Sequence, residues 1–195
     1  MTILNLLGIS IGTVLSENIV FSRLLGTSAF LRDTKDIKSA LKHSIAVGIF
    51  LAFFSILAWL FNRLIFAPLS LEYMHTFLFV LLLCGGVKLC ENVLKKRFPA
   101  IYERFGVSFD EVCLSSAFLG VMLLAATSGY SSLGALFFGI ASGVGYFLSS
   151  VLFAAVRENL ESTDSPKALA GEPMLFITLG LIALAFMGFS GIKFI

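Results

Sequence analysis

Charge is what this sequence of 195 residues has least of. Asp, Glu, Lys and Arg together make up 13% of it, about half the share usual in a soluble domain. Hydrophobic residues make up 58% and the mean hydropathy is +0.98. So few charges do not cover a globule of this size, which argues against a cytosolic enzyme, a disordered tail and a DNA-binding module. A net charge of +2 gives no basis for nucleic acid as a partner. Proline is scarce, at 4 residues, so Pro-rich and collagen-like sequence is excluded. The 3 cysteines, Cys84, Cys90 and Cys113, lie in or beside apolar runs, a poor pattern for a secreted disulfide framework. The 2 histidines, His43 and His75, have no second ligand at metal-binding spacing. Walker, Rossmann and CxxC motifs are missing, and Ser16, Ser149 and Ser150 have no His/Asp set around them. The first apolar stretch has neither a basic leader nor a small-residue cleavage site, so it reads as a retained membrane segment.

What is present is a series of long apolar runs. A helix crossing about 30 Å of hydrocarbon needs about 20 residues, and continuous runs of this length exclude the short alternating strands of a barrel. Ser44–Asn62, Thr76–Cys90, Leu133–Val156 and Met174–Ile192 are clean. The first span, Ile3–Leu15, runs into Ser16, Glu17 and Asn18; the fourth, Val112–Ser128, is preceded by Asp110 and Glu111. The expected fold is all-α and integral to the membrane: six transmembrane helices, the first and fourth interrupted. Every basic residue except Arg63 and Lys193 falls in the first, third or fifth connection or, as Lys88, at the span end beside it. The positive-inside rule therefore puts those connections in the cytoplasm and both the N and C termini outside. Leu31–Lys42 and Lys95–Arg104 read as short interfacial segments, and Asn159–Pro173 as a loop. One membrane domain, 1–195, is expected, with halves at 1–104 and 105–195. Ser28-Ala29-Phe30-Leu31 recurs as Ser116-Ala117-Phe118-Leu119, one copy in each imperfect span. Three spans per half give inverted halves, an arrangement familiar from transporters with broken helices.

Several residues are candidates for function. Glu17 and Asn18 interrupt the first span, where a carboxylate in lipid costs several kcal/mol. They mark an ion site or a helix break, or else an interfacial helix end, and Arg23 is in range to pair with Glu17. Lys88 and Glu91, at i,i+3, share a helix face and form a structural pair. Gly139, Gly143 and Gly145 suggest a small-residue face for close helix packing. Ser115 stands beside the second copy of the repeat as a further ion-path or helix-break candidate.

The run Ser16-Glu17-Asn18-Ile19-Val20 through Leu24-Leu25-Gly26-Thr27-Ser28 resembles the first span of the Rnf/Nqr family of integral membrane subunits, in its A/E branch. Similar blocks follow in order: Ala67-Pro68-Leu69 with Glu72-Tyr73, Phe105-Gly106, Ser116-Ala117-Phe118-Leu119-Gly120-Val121, Gly143-Val144-Gly145-Tyr146, Arg157-Glu158, and Ala185-Phe186-Met187-Gly188-Phe189-Ser190-Gly191. The resemblance implies a membrane-integral subunit of an ion-translocating electron transport complex in the cell inner membrane. Such a chain is at most a non-autonomous part of a redox-driven translocase. The resemblance also implies a sister membrane subunit, flavin-carrying partners, and a 2Fe–2S cluster within the membrane, to which each of the paired subunits gives two thiolates. At both matched ligand positions this chain has serine, Ser28 and Ser116. Cys113, one helical turn before Ser116, is the nearest substitute, and the first half offers none before Cys84. No cofactor is therefore assigned from the residues themselves. Two other readings stay open: a paralogue without the cluster that permeates ions or small solutes, and an unrelated six-helix membrane transporter.

Overall fold

The computed structural model describes residues 3–27, 30, 31, 34, 36–68, 72–97, 115–161, 169 and 171–189. Six α-helices are described from end to end: α1 (Ile3–Val14), α2 (Ile37–Phe61), α3 (His75–Arg97), α4 (Ser116–Thr127), α5 (Ser132–Glu161) and α6 (Glu172–Met187). No strand occurs among the described residues. Among the described residues, three helices are long and apolar enough to cross a membrane: α2 with its continuation to Phe66, α3, and α5. α4 and α6 are shorter apolar helices.

Local chemistry sets the ends of these helices. Asp36 is extended and its carboxylate accepts the Ser39 N–H at 3.0 Å, an N-cap that satisfies one of the orphan donors of the first turn of α2. α2 passes into a π-helical turn, Asn62–Phe66. α6 opens with Glu172-Pro173 after Gly171, where proline loses no hydrogen bond because the first N–H groups have no helical partner. α2 starts at Ile37 and α3 runs on to Arg97. Ile37–Lys42 and Lys95–Arg97 are thus turns of the long helices rather than separate interfacial segments. The apolar run marks only the part matched to hydrocarbon, while helical hydrogen bonding continues through the charged ends.

α2 and α5 form the centre. α1, from the first half of the chain, packs on α5 from the second; α4, from the second half, packs on α2 from the first and touches α3. The core between them is rich in phenylalanine. Phe21, Phe30, Phe54, Phe118 and Phe153 are all buried. Phe30 meets Phe21 edge-on at 6.3 Å, Tyr146 edge-on at 5.9 Å and Phe153 at 5.3 Å. Phe186 of α6 joins through Phe21 at 4.6 Å. Rings in tilted and edge-to-face contact add to the stabilisation that burial gives.

Candidate functional site

α1 stops at Val14, and the chain goes on in turns as far as Gly26 before Thr27, Phe30 and Leu31 are again helical. Asn18 organises this change of direction and is fully buried. Its Nδ2 donates to Val14 O at 3.0 Å and to Gly145 O at 3.2 Å. Its Oδ1 accepts the N–H groups of Val20 at 3.0 Å and Phe21 at 3.2 Å. Ser149 Oγ stands 3.0 Å from the same oxygen and 2.8 Å from Gly145 O. One amide thus satisfies both sides of a chain break where water is excluded, as buried polar groups require. Glu17, the preceding residue, turns the other way. Its carboxylate pairs with Arg23 at 3.0 Å, the two side chains being 59% and 39% exposed. Beside them Ser22 Oγ donates to Ser16 O and Ser16 Oγ to Phe189 O, which ties the outer face of the break to the end of α6.

The two halves meet at Gly26. Its N–H donates to Ser116 Oγ at 2.8 Å. Its positive φ of 72° suits glycine, and a Cβ there would stand 2.8 Å from Ala117 Cβ and 3.3 Å from Ser115 Oγ. Ser115 precedes the first turn of α4 but its side chain does not cap it. Ser28 and Cys113 lie outside the described residues, as do Asp110 and Glu111. The donors do not fit the cluster that the resemblance implies. Such clusters are held by thiolates, and position 116 offers a neutral hydroxyl in place of one. The described cysteines, Cys84 and Cys90, are both on α3. Among the described residues no group of three or more His, Cys, Asp and Glu gathers that could hold a metal.

The glycines of α5 divide between two faces. A Cβ on Gly143 would stand 2.8 Å from Gly48 O and 2.9 Å from Gly48 Cα, and one on Gly139 would stand 2.6 Å from Ser55 Cβ. Both therefore face α2. Gly145 faces α1, where a Cβ would meet Asn18 Nδ2 at 3.3 Å and Val14 Cα at 3.5 Å. The three glycines do not share the single face that their spacing suggests, since a step of two residues turns about 200° around a helix. On α3, Glu91 bonds Lys88 at 3.1 Å and also Lys95 at 2.6 Å.

Sequence reasoning missed two polar clusters. Arg157 Nη1 donates to Leu31 O at 2.8 Å and Glu158 Oε1 accepts the Ile37 N–H at 3.1 Å. Adjacent residues at the end of α5 thus hold both ends of the first connection; in the sequence the Arg-Glu pair stands out only as a family block. At the other end of α2, Asn62 donates to Ala126 O at 2.9 Å and meets His75 Nε2 at 2.8 Å, while Trp59 Nε1 donates to Tyr130 O at 2.8 Å. Isolated Asn and Trp residues at a span end carry no spacing signal that would have revealed this.

The family model described as "Rnf-Nqr subunit, membrane protein" matches residues 6–193. The A-type subunit of the Na(+)-translocating ferredoxin:NAD(+) oxidoreductase complex of Acetobacterium woodii is 37% identical over 190 residues, covering 97% of this chain and 99% of that protein. The A-type subunit of the ion-translocating oxidoreductase complex of Serratia proteamaculans is 37% identical over 182 residues, 93% of this chain and 94% of its own. The protein of the same name from Syntrophotalea carbinolica is 37% identical over 188 residues, 96% and 97% of the two chains. With a match that runs nearly from end to end, the chain belongs to the Rnf-Nqr family of membrane subunits.

Proposed function

We propose that this chain is the A-type membrane subunit of an ion-translocating oxidoreductase complex. It crosses the inner membrane six times, as two inverted halves with interrupted first and fourth spans and both termini outside. There it is paired with a sister membrane subunit, beside flavin-carrying partners. The observation that carries this reading is the near full-length match to proteins that bear that name. The exchange of partners between halves, α1 on α5 and α4 on α2, supports the inverted arrangement.

The outer face of the break supports a partner surface. Asn18 bonds to Gly145 and beside Ser149, near the centre of the apolar run Leu133–Val156. With that run across the hydrocarbon, Glu17 and Arg23 stand near mid-depth, Arg23 thus within the interrupted first span rather than in the first connection, and their charges are turned outward. Charges and non-helical backbone facing lipid tails cost several kcal/mol, so this face suits contact with protein.

The test is purification from native membranes through a tag on this chain, with a photo-crosslinking residue in place of Leu24, which is 53% exposed. Co-purification of flavoproteins and a second membrane subunit, with the crosslink made to that second subunit, is the expected result. A chain that purifies alone and crosslinks only to lipid rejects the reading.

A further inference from the structure

The junction of the two halves carries an inference that rests on the complex-subunit reading and goes beyond it. Ser116 Oγ accepts the Gly26 N–H across 90 positions of sequence. The approach is close enough that a Cβ on Gly26 would collide with Ala117, and one on Gly120 would run into Leu25. Residues of the two halves therefore touch directly here, and at the exposed edge of this contact the Ser116 hydroxyl oxygen accepts an amide hydrogen. A serine hydroxyl is neutral at physiological pH. A cysteine thiol, with an ordinary pKa of about 8.5, gives the thiolate that binds iron. The sequence carries the same exchange at Ser28, and the described cysteines are confined to α3.

We infer that this chain is a redox-silent member of its complex. A hydroxyl–amide hydrogen bond, Ser116 Oγ with Gly26 N–H, joins its halves where the family resemblance implies a metal cluster, and electrons that cross the complex do so without it.

The experiment uses the complex purified through a tag on this chain, as wild type, Ser116→Ala and Ser116→Thr. Iron per complex and the EPR spectrum after reduction are the first readouts, and melting temperature is the second. Iron and spectrum are expected to be the same in all three. Ser116→Ala, which removes the acceptor, melts about 2–4 °C lower; Ser116→Thr, which keeps it, melts with the wild type. A 2Fe–2S signal in the wild type that disappears in Ser116→Ala overturns the inference. A Ser116→Ala complex that melts unchanged overturns the hydrogen-bonded junction. If Ser116→Ala fails to assemble, Ser28→Ala gives the same spectroscopic comparison, and a signal lost there is equally fatal. Absence of co-purifying proteins counts against the complex-subunit reading alone, because the spectrum of the isolated chain still decides whether it binds a cluster.

Discussion

Gly143 and Gly145 stand two positions apart on α5 and admit two different neighbours. At Gly143 the helices α2 and α5 touch backbone to backbone, with Gly48 on the facing helix. At Gly145 the visitor is an amide: Asn18 reaches the Gly145 carbonyl and the Ser149 hydroxyl. The first seam relies on dispersion between closely packed backbones, the usual basis of helix association without water. The second relies on hydrogen bonds that allow a chain to leave the helical ladder inside the protein. One residue type thus serves two purposes, one joining helices and the other allowing a helix to stop.

The sharpest way to break this contrast is Asn18→Leu. It orphans the N–H groups of Val20 and Phe21 and takes one donor from the Gly145 carbonyl, which keeps Ser149 Oγ. At about 1–3 kcal/mol for each unsatisfied buried group, partly relieved by relaxation, the expected cost is about 3–4 kcal/mol, read as unfolding in detergent. If Asn18→Leu is milder than any glycine variant, the polar seam is not what holds the break.

Gly143→Ala comes next, at about 2 kcal/mol, since its Cβ would meet backbone that cannot rotate away. Gly48→Ala, across the same seam, finds Gly143 only at 3.4 Å and should cost clearly less. Equal costs would mean that the seam relaxes freely. Gly145→Ala should cost about 1 kcal/mol, because the Asn18 amide at 3.3 Å has to yield by only a few tenths of an ångström. Together, Asn18→Leu, Gly143→Ala and Gly145→Ala rank the polar break, the tight crossing and the loose one.

Long apolar runs made the helices legible, because hydrocarbon thickness imposes a length that ordinary cores do not. The break at Ser16–Asn18 was legible because polar residues interrupt such a run. Which of Glu17 and Asn18 turns inward was not, since the answer lies in Gly145 and Ser149, more than a hundred positions away. Gly48 gave no sign of its role, being a lone small residue in an apolar helix until Gly143 is set against it. The glycines of α5 could be seen as a group, but dividing them between faces needs the positions of α1 and α2. Helix ends were the least legible, because Lys38 and Lys42 lie in a helix before its apolar run begins and Arg157 in one whose apolar run has already ended.

The smallest effect concerns pH and separates the two seams from the ends of their helices. No titratable side chain takes part in the contacts described at Gly143 or Gly145, so mild acid should leave both unchanged. The start of α2 behaves differently. The hydrogen bonds from Ser39 hold the Asp36 carboxyl below its ordinary range, with further help from Lys38 and Lys42. A carboxyl lowered on folding stabilises the folded chain above its ordinary pKa, and this contribution is lost as pH falls through the lowered value. Asp36 is fully exposed to solvent, so the effect is small and weakened further by salt. The difference in melting temperature between wild type and Asp36→Asn should be flat near neutral pH and shift against the wild type only below about pH 4. Asparagine keeps the capping acceptor without the charge, so helix capping itself cancels in this comparison. A difference that changes between about pH 5 and 7 would trace the sensitivity to a group other than Asp36.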